Sequence, residues 1–324
     1  MTEIEDDFSI INHYQDLGAA SRLGADATKL PALSLTTLPN GDVVESLNAE
    51  FRIQNGSVSI DGASASLGQA NVDGNGVKET LDGFYVDGGI SGGGATLNSD
   101  DTGVYDLAAD AMEFPGLSDP YVEPGTGTTY GSSRSYLNGH SMSVPIDEIS
   151  ADVSSYHKED ANGNLFDWNR STETLEIQGI IKIADGDLEI GDSGGRINYV
   201  GTGTIWADRI EVEGDLVPVG DYLDVDGGGT VNNIGLIAAD RLRVAAGNGS
   251  QALTMMAAMY AGTEFRVDRS ARIAGTVMAP YFDKTRGFEI YQVPVLASNL
   301  PPGMPDSRKV SIVSVSLADW YTER

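Results

Sequence analysis

The residues best suited to chemistry in this chain lie in one stretch, Glu159-Asp160-Ala161-Asn162-Gly163-Asn164-Leu165-Phe166-Asp167. Side-chain oxygens at Asp160, Asn162 and Asn164 alternate along it, and the carboxylate of Asp167 follows. A hard cation such as calcium takes about six to eight oxygen ligands, and a tight loop of alternating oxygens is one way to supply them. The expected metal ligands are therefore Asp160, Asn162, Asn164 and Asp167, with Ca2+ as the cofactor. The spacing is not that of an EF-hand, because Ser171 stands where the distal bidentate glutamate would be. Asn-Gly and aspartate-rich turns also form without metal. A second cluster, Asp221, Asp224 and Asp226 in GDYLDVDGGG, offers sparser oxygens and equally suits a solvated corner.

Other chemistry finds less support. His13, His140 and His157 are far apart, without the clustered partners that announce zinc, and the chain has no cysteine. The GDSGG phrase at 191–195 resembles a serine-protease motif but is expected to be a turn. Gly88, Gly89 and Gly92–Gly94 precede ATLNSDD, which has neither the lysine nor the helix that a phosphate-cradling loop requires. Asp185, Asp187 and Glu189 could stack beside Asp208 or Glu211, and paired carboxylates about 5–10 Å apart cleave glycosides. No basic cluster accompanies them to act as a lyase base. No catalytic residues are assigned.

The elements that must position these residues are strands. TIWADRIEV at 204–212 returns as LIAADRLRV at 236–244 and MYAGTEFRV at 259–267, with a clipped TVMAPYF at 276–282. Aligning Ala207, Ala239, Ala261 and Ala279 gives steps of 32, 22 and 18 residues. Each copy alternates apolar and polar residues, the period of a half-buried strand. Similar strands at shrinking, irregular steps suit stacked coils with insertions at their corners. The expected fold is mainly β, a right-handed parallel β-solenoid (β-helix) with a short N-terminal helix and irregular insertions. The alignment points Ile205, Ile237 and Val277 into one interior, with Ile210, Leu242 and Phe265 stacked beyond them.

Residues 4–17 space Ile4, Phe8, Ile11, Tyr14 and Leu17 as an amphipathic helix. Short strands follow, with hairpin-type turns at Asn40-Gly41 and Asn55-Gly56. The expected organisation is an N-terminal helix and β segment at 1–81, then a solenoid at 82–324. Prolines 115, 120 and 124 open a long insertion at about 105–170, with a short helix near 146–157. From Leu175 the strands become legible. Pro301, Pro302 and Pro305 make an extended segment before the alternating strand VSIVSVSLADW.

The chain has 324 residues, 40 of them glycine, and a formal charge of −28. With 48 acidic against 20 basic side chains, phosphate backbones are repelled, so general nucleic-acid or anionic-membrane binding is disfavoured. The basic cluster Arg241, Arg243, Arg266, Arg269 and Arg272 either forms a stripe or pairs with the interleaved Asp240, Glu264 and Asp268. No apolar run approaches the ~20 residues that span a bilayer, and the first residues are acidic rather than a signal peptide. The protein is either cytoplasmic, or exported by a signal outside this chain.

The order of GGISGGG, LEIQGIIKIADGDLEIG, the GTGTIWADRIEVEGDL and IGLIAADRLRV copies, AGTVMAPYFD and YQVPVLASNLPPGMP resembles one family. It is similar to the β-solenoid ectodomains of PilX-type minor pilins, accessory proteins of type IV pili that include competence-linked members. The resemblance spans about residues 82–324, and LPPGMP at Leu300–Pro305 is its most specific motif. It implies a non-catalytic, extracellular, surface-displayed pilus component, a minor pilin or tip-associated binding module in adhesion or DNA uptake. Its leader and membrane helix would lie outside this chain. The implied partners are other pilins or pilus-tip proteins, with a glycan or surface ligand, or DNA against the charge. The alternatives are a secreted carbohydrate-active β-helix enzyme and a self-assembling structural β-solenoid.

Overall fold

The computed structural model describes residues 114–222 except 125, residues 231–284 except 248 and 250, and residues 288–291, 296 and 299–305. In the first 113 residues it describes Lys29, Gly41 and twelve short strands. The architecture is mainly β, and its sheets do not close into a barrel.

The repeated copies form tiers of parallel strands. Thr202–Ala207 pairs in parallel with residues 179–182 of the long strand Thr174–Ile183 on one side and with Asn233–Ala238 on the other. Leu253–Ala261 and Ala271–Ala279 continue the series. A second face is built the same way from Glu148–Ile149, Asp187–Ile190, Arg209–Val212, Arg241–Val244, Glu264–Val267 and Tyr281–Lys284. A third run joins Thr174–Glu176 to Arg196–Val200, Asp215–Pro218, Leu253–Ala261, Ala271–Ala279 and Phe288–Tyr291. Successive tiers thus supply strands to these faces, the long strands Thr174–Ile183, Leu253–Ala261 and Ala271–Ala279 each serving two of them, and inward side chains meet those of the tiers above and below.

The inner core follows from this stacking. Ile210, Leu242 and Phe265 are neighbours in register and fully buried, as the repeat alignment expects. Burying a side chain of this size stabilises by ~1.5–3 kcal/mol. The partner strand departs from the alignment. Ile205 stacks on Leu236, Met259 and Val277, so Ile237 faces the opposite side. One residue separates Ala207 from Arg209, but two, Ala239 and Asp240, separate Ala238 from Arg241. That extra corner residue shifts the first strand of the copy by one position, and a one-residue shift reverses every side chain.

The outward side of that face is buried too. Ile180, Trp206, Ile237, Met256, Ala258 and Tyr260 are covered by Leu117, Tyr121, Tyr136, Leu137, Leu296 and Met304, which form a second apolar cluster. The covering segment contains the helix Ser133–His140, capped by the Ser132 side chain accepting from the Ser135 backbone N–H.

Several local expectations are corrected. Residues 2–5 and 9–11 are strands, not a helix; residues 6–8 and 12–17 lie outside the described residues. Ile11 pairs with Val277 and Phe51, so this strand completes a sheet edge whose backbone groups a helix would leave unpaired. The short helix lies at 133–140 rather than near 146–157, where Glu148–Ile149 stacks on Glu189–Ile190. Ile146 and Ile149 are both buried through a turn into that strand, which imitates helical spacing. Ser141–Val144 already pairs in parallel with Ile180–Ile183, so the first tier begins ahead of the expected end of the insertion. The strands flanking Asn40-Gly41, Ser34–Thr37 and Val43–Ser46, are antiparallel, but Glu50–Ile53 and Ser57–Ile60 enter different sheets. Strands at 83–86 and 90–91 pair with Glu50–Ile53 and Ser57–Ile60, so pairing crosses residue 82.

Candidate functional site

The expected cation loop is the tip of an antiparallel hairpin, Tyr156–Glu159 against Leu165–Asn169. Asp160 organises it. One carboxylate oxygen accepts the backbone N–H groups of Asn162 (2.8 Å) and Asn164 (3.0 Å), and the other accepts from the Asn164 side-chain nitrogen (2.9 Å). Burial works to raise the Asp160 carboxyl pKa, but these hydrogen bonds outweigh it and hold the group below the usual range. Asn164 is buried and ties the loop to the tiers. Its Nδ2 also donates to the His140 carbonyl (3.0 Å), and its Oδ1 accepts the Ile180 N–H (2.8 Å). Asp160, Asn162 and Asn164 therefore share one turn. Asp167 lies on the return strand, 3.2 Å from His157 Nδ1.

Asp160→Ala is expected to lower the melting temperature by several degrees even in chelator. It removes three accepted hydrogen bonds, each worth a net ~0.5–1.5 kcal/mol. A calcium-dependent rise in the wild-type melting temperature, lost in Asp160→Ala, is the signature of a bound cation. Identical wild-type curves in chelator and in millimolar calcium would remove the cation from this loop.

The carboxylates considered for glycoside chemistry divide between two columns. Glu148, Glu189 and Glu211 stack in register, while Asp187 stacks on Arg209. Burial, reinforced by Glu213, Glu148, Glu211 and Asp192, raises the Glu189 pKa. GDSGG is a turn, with the Gly195 N–H donating to the Asp192 carbonyl (2.8 Å). Asp221 accepts from Asn232 through its backbone carbonyl, whereas Asp224, Asp226 and His13 lie outside the described residues.

The arginines interleave with carboxylates rather than forming a bare stripe. Arg243 reaches Glu211 (2.6 Å) and Asp268 (2.5 Å), and Arg266 reaches Asp268 (2.6 Å) and Asp283 (3.4 Å). Arg241 pairs with Glu264, and Arg209 with Asp240. Arg269 is buried and donates to the carbonyls of Ala246, Gln251 and Glu213. Burial would raise the Asp268 carboxyl pKa, but hydrogen bonds from Arg266 and Arg243 lower it. The stability this depressed group contributes is present above its unfolded pKa and is lost as pH falls through the folded value.

A sequence-only reading missed the cluster on the covering segment. Tyr121, Tyr130, Tyr136 and His140 pack ring against ring, Tyr136 stacked on His140 and Tyr130 edge-on to both, and the Tyr136 hydroxyl donates to Glu123 (3.1 Å). The available signal was the Ser132–Ser135 capping pair, which marks the helix carrying two of the four rings. Among the described residues no helix is long and apolar enough to cross a membrane.

No family model matches the chain, and no curated protein does. Among solved structures it is similar to the competence-associated pilin ComZ from Thermus thermophilus. The TM-score is 0.61 at 18% identity, over 94% of this chain and 67% of that one. At this identity the likeness is one of fold.

Proposed function

We propose that this chain is a non-catalytic, surface-displayed component of a type IV pilus, a minor pilin or tip-associated module. The observation that carries the reading is the likeness to a competence-associated pilin over 94% of the chain. The LPPGMP segment and the stacked copies support it. In this reading the parallel tiers are a right-handed β-solenoid of the kind seen in PilX-type proteins. Its outer layer, with the tyrosine cluster at 121–140, is the displayed surface. Other pilins or tip proteins are the first partners, and a glycan or surface ligand would meet the displayed layer in adhesion. Calcium at Asp160, Asn162, Asn164 and Asp167 would brace the hairpin beside that layer.

Antibodies raised to this chain should label filaments sheared from the source cells, concentrated at filament ends. Its recovery only from the cytosolic fraction, with unlabelled filaments, would overturn the reading.

DNA uptake by direct charge attraction is not part of the proposal, because the exposed arginines of the second face are matched by carboxylates. The expected result of a low-salt gel shift is no retardation of duplex DNA. Tight, salt-sensitive binding lost in Arg243→Ala and Arg266→Ala would reverse this, since counterion release makes phosphate contacts salt-dependent.

A further inference from the structure

Two apolar layers lie on either side of the first face of the tiers, and they differ in polar satisfaction. The inner one holds Tyr199, fully buried, whose hydroxyl donates to the Met256 carbonyl (2.8 Å). The outer one holds Tyr222, equally buried, whose hydroxyl has no hydrogen-bond partner among the described residues. Trp206 Nε1 and Asn233 Oδ1 are the other two buried side-chain atoms without a hydrogen bond among the described residues. Both residues point outward, because Ile205, Ile234 and Leu236 point in. Every such orphan thus belongs to the outer side.

One segment, 299–305, clamps that layer from outside. Residues 299–305 run across the strands rather than along them. The Asn299 carbonyl accepts from Asn233 Nδ2 (2.6 Å), and the Pro302 carbonyl accepts from Thr204 Oγ1 (2.6 Å). Gly303, at φ +78°, wedges between the helix and the next tier, where an added Cβ would stand 2.7 Å from Leu137 Cδ2 and 3.1 Å from Ile180 Cδ1. The covering segment itself meets the tiers through the Tyr260 hydroxyl, which donates to the Pro115 carbonyl (3.0 Å).

We propose that the outer layer, residues 114–140 with 299–305, is a latched lid that opens as one unit while the tiers stay stacked. Buried polar groups without partners favour the opened, hydrated state, and the inner core has no matching incentive. The latch opposes them through two hydrogen bonds and the Gly303 wedge, and the bonds of Tyr260 to Pro115, Lys182 to Asn138 (2.9 Å) and Asn164 to His140 add to it. Opening uncovers Ile180, Trp206, Ile237 and Tyr260 and frees the tyrosine-bearing segment to change shape. This inference stands independently of the pilus reading.

Native-state hydrogen exchange on the intact chain tests it. The amides of Arg134, Tyr136 and Met304 should share one opening constant, about 100-fold or more above that of Ile210, Leu242 and Phe265. Tyr222→Phe removes only the unpaired hydroxyl and should lower the lid's opening constant about tenfold, with the inner amides little changed. Thr204→Val removes a latch bond and should raise it about fivefold. Equal opening constants for the two sets of amides would overturn the lid. So would an unchanged or faster opening in Tyr222→Phe, a variant whose shape gives it no reason to misfold.

Discussion

Replacing Leu242 with aspartate is expected to leave no soluble folded protein. Leu242 is fully buried between Ile210 and Phe265 in a ladder of parallel strands. The substitution forfeits ~1.5–3 kcal/mol of apolar burial and places a carboxylate where no cation stands in the stack. Burying an unpaired charge costs several kcal/mol more, and a folded domain holds only about 5–15 kcal/mol in reserve. A shape-conserving Leu242→Met should cost less than about 1.5 kcal/mol and fold. Soluble yield and thermal melting followed by circular dichroism give the answer. A Leu242→Asp protein that melts like the parent would mean that the second face is not stacked in this register.

Gly275→Ala should be the most damaging single-methyl change in the tiers. Gly275 sits inside the strand Ala271–Ala279 at φ +151°, a conformation other residues rarely adopt. It lies in register with Ala257, and an added Cβ would fall well inside contact distance of the Ala257 carbonyl oxygen. That oxygen is main chain, so neither strand can give way without disturbing the pairing. Strain and overpacking together should cost roughly 3–5 kcal/mol, a fall in melting temperature on the order of 10 °C. Gly139, in the helix with open space around its Cα, supplies the contrast: Gly139→Ala should be neutral or stabilising by ~0.5–1 kcal/mol. Melting of Gly275→Ala within a degree of the parent would refute the close approach.

The candidate site was legible in part. The Asp160, Asn162 and Asn164 alternation does mark one tight turn, because a carboxylate followed by nearby backbone N–H groups closes an Asx-type loop. What local spacing could not convey is that Asn164 turns inward to bind Ile180 and His140, or that Asp167 faces His157. Those partners come from a separate strand, a helix end and the opposite arm of the hairpin. The arginine pairing was legible because Arg243 and Asp268 belong to the same copies that stacking brings together.

The sequence alone determined the all-strand character of the tiers, their stacking order and the register of the second face. There one side meets the core and the other meets water, so RIEV, RLRV and EFRV alternate cleanly and ion pairs fall between charged outward positions. Tertiary structure alone decided the register of the first face, the N-terminal strands and the outer layer. NIGLIA at 233–238 is buried on both sides, so it carries no alternation from which to tell inward from outward. The single additional residue at the Ala239 corner then settles that Ile237 faces the lid. Residues 9–11 are strand because an edge of the tiers is there to be paired, a demand that no local propensity records.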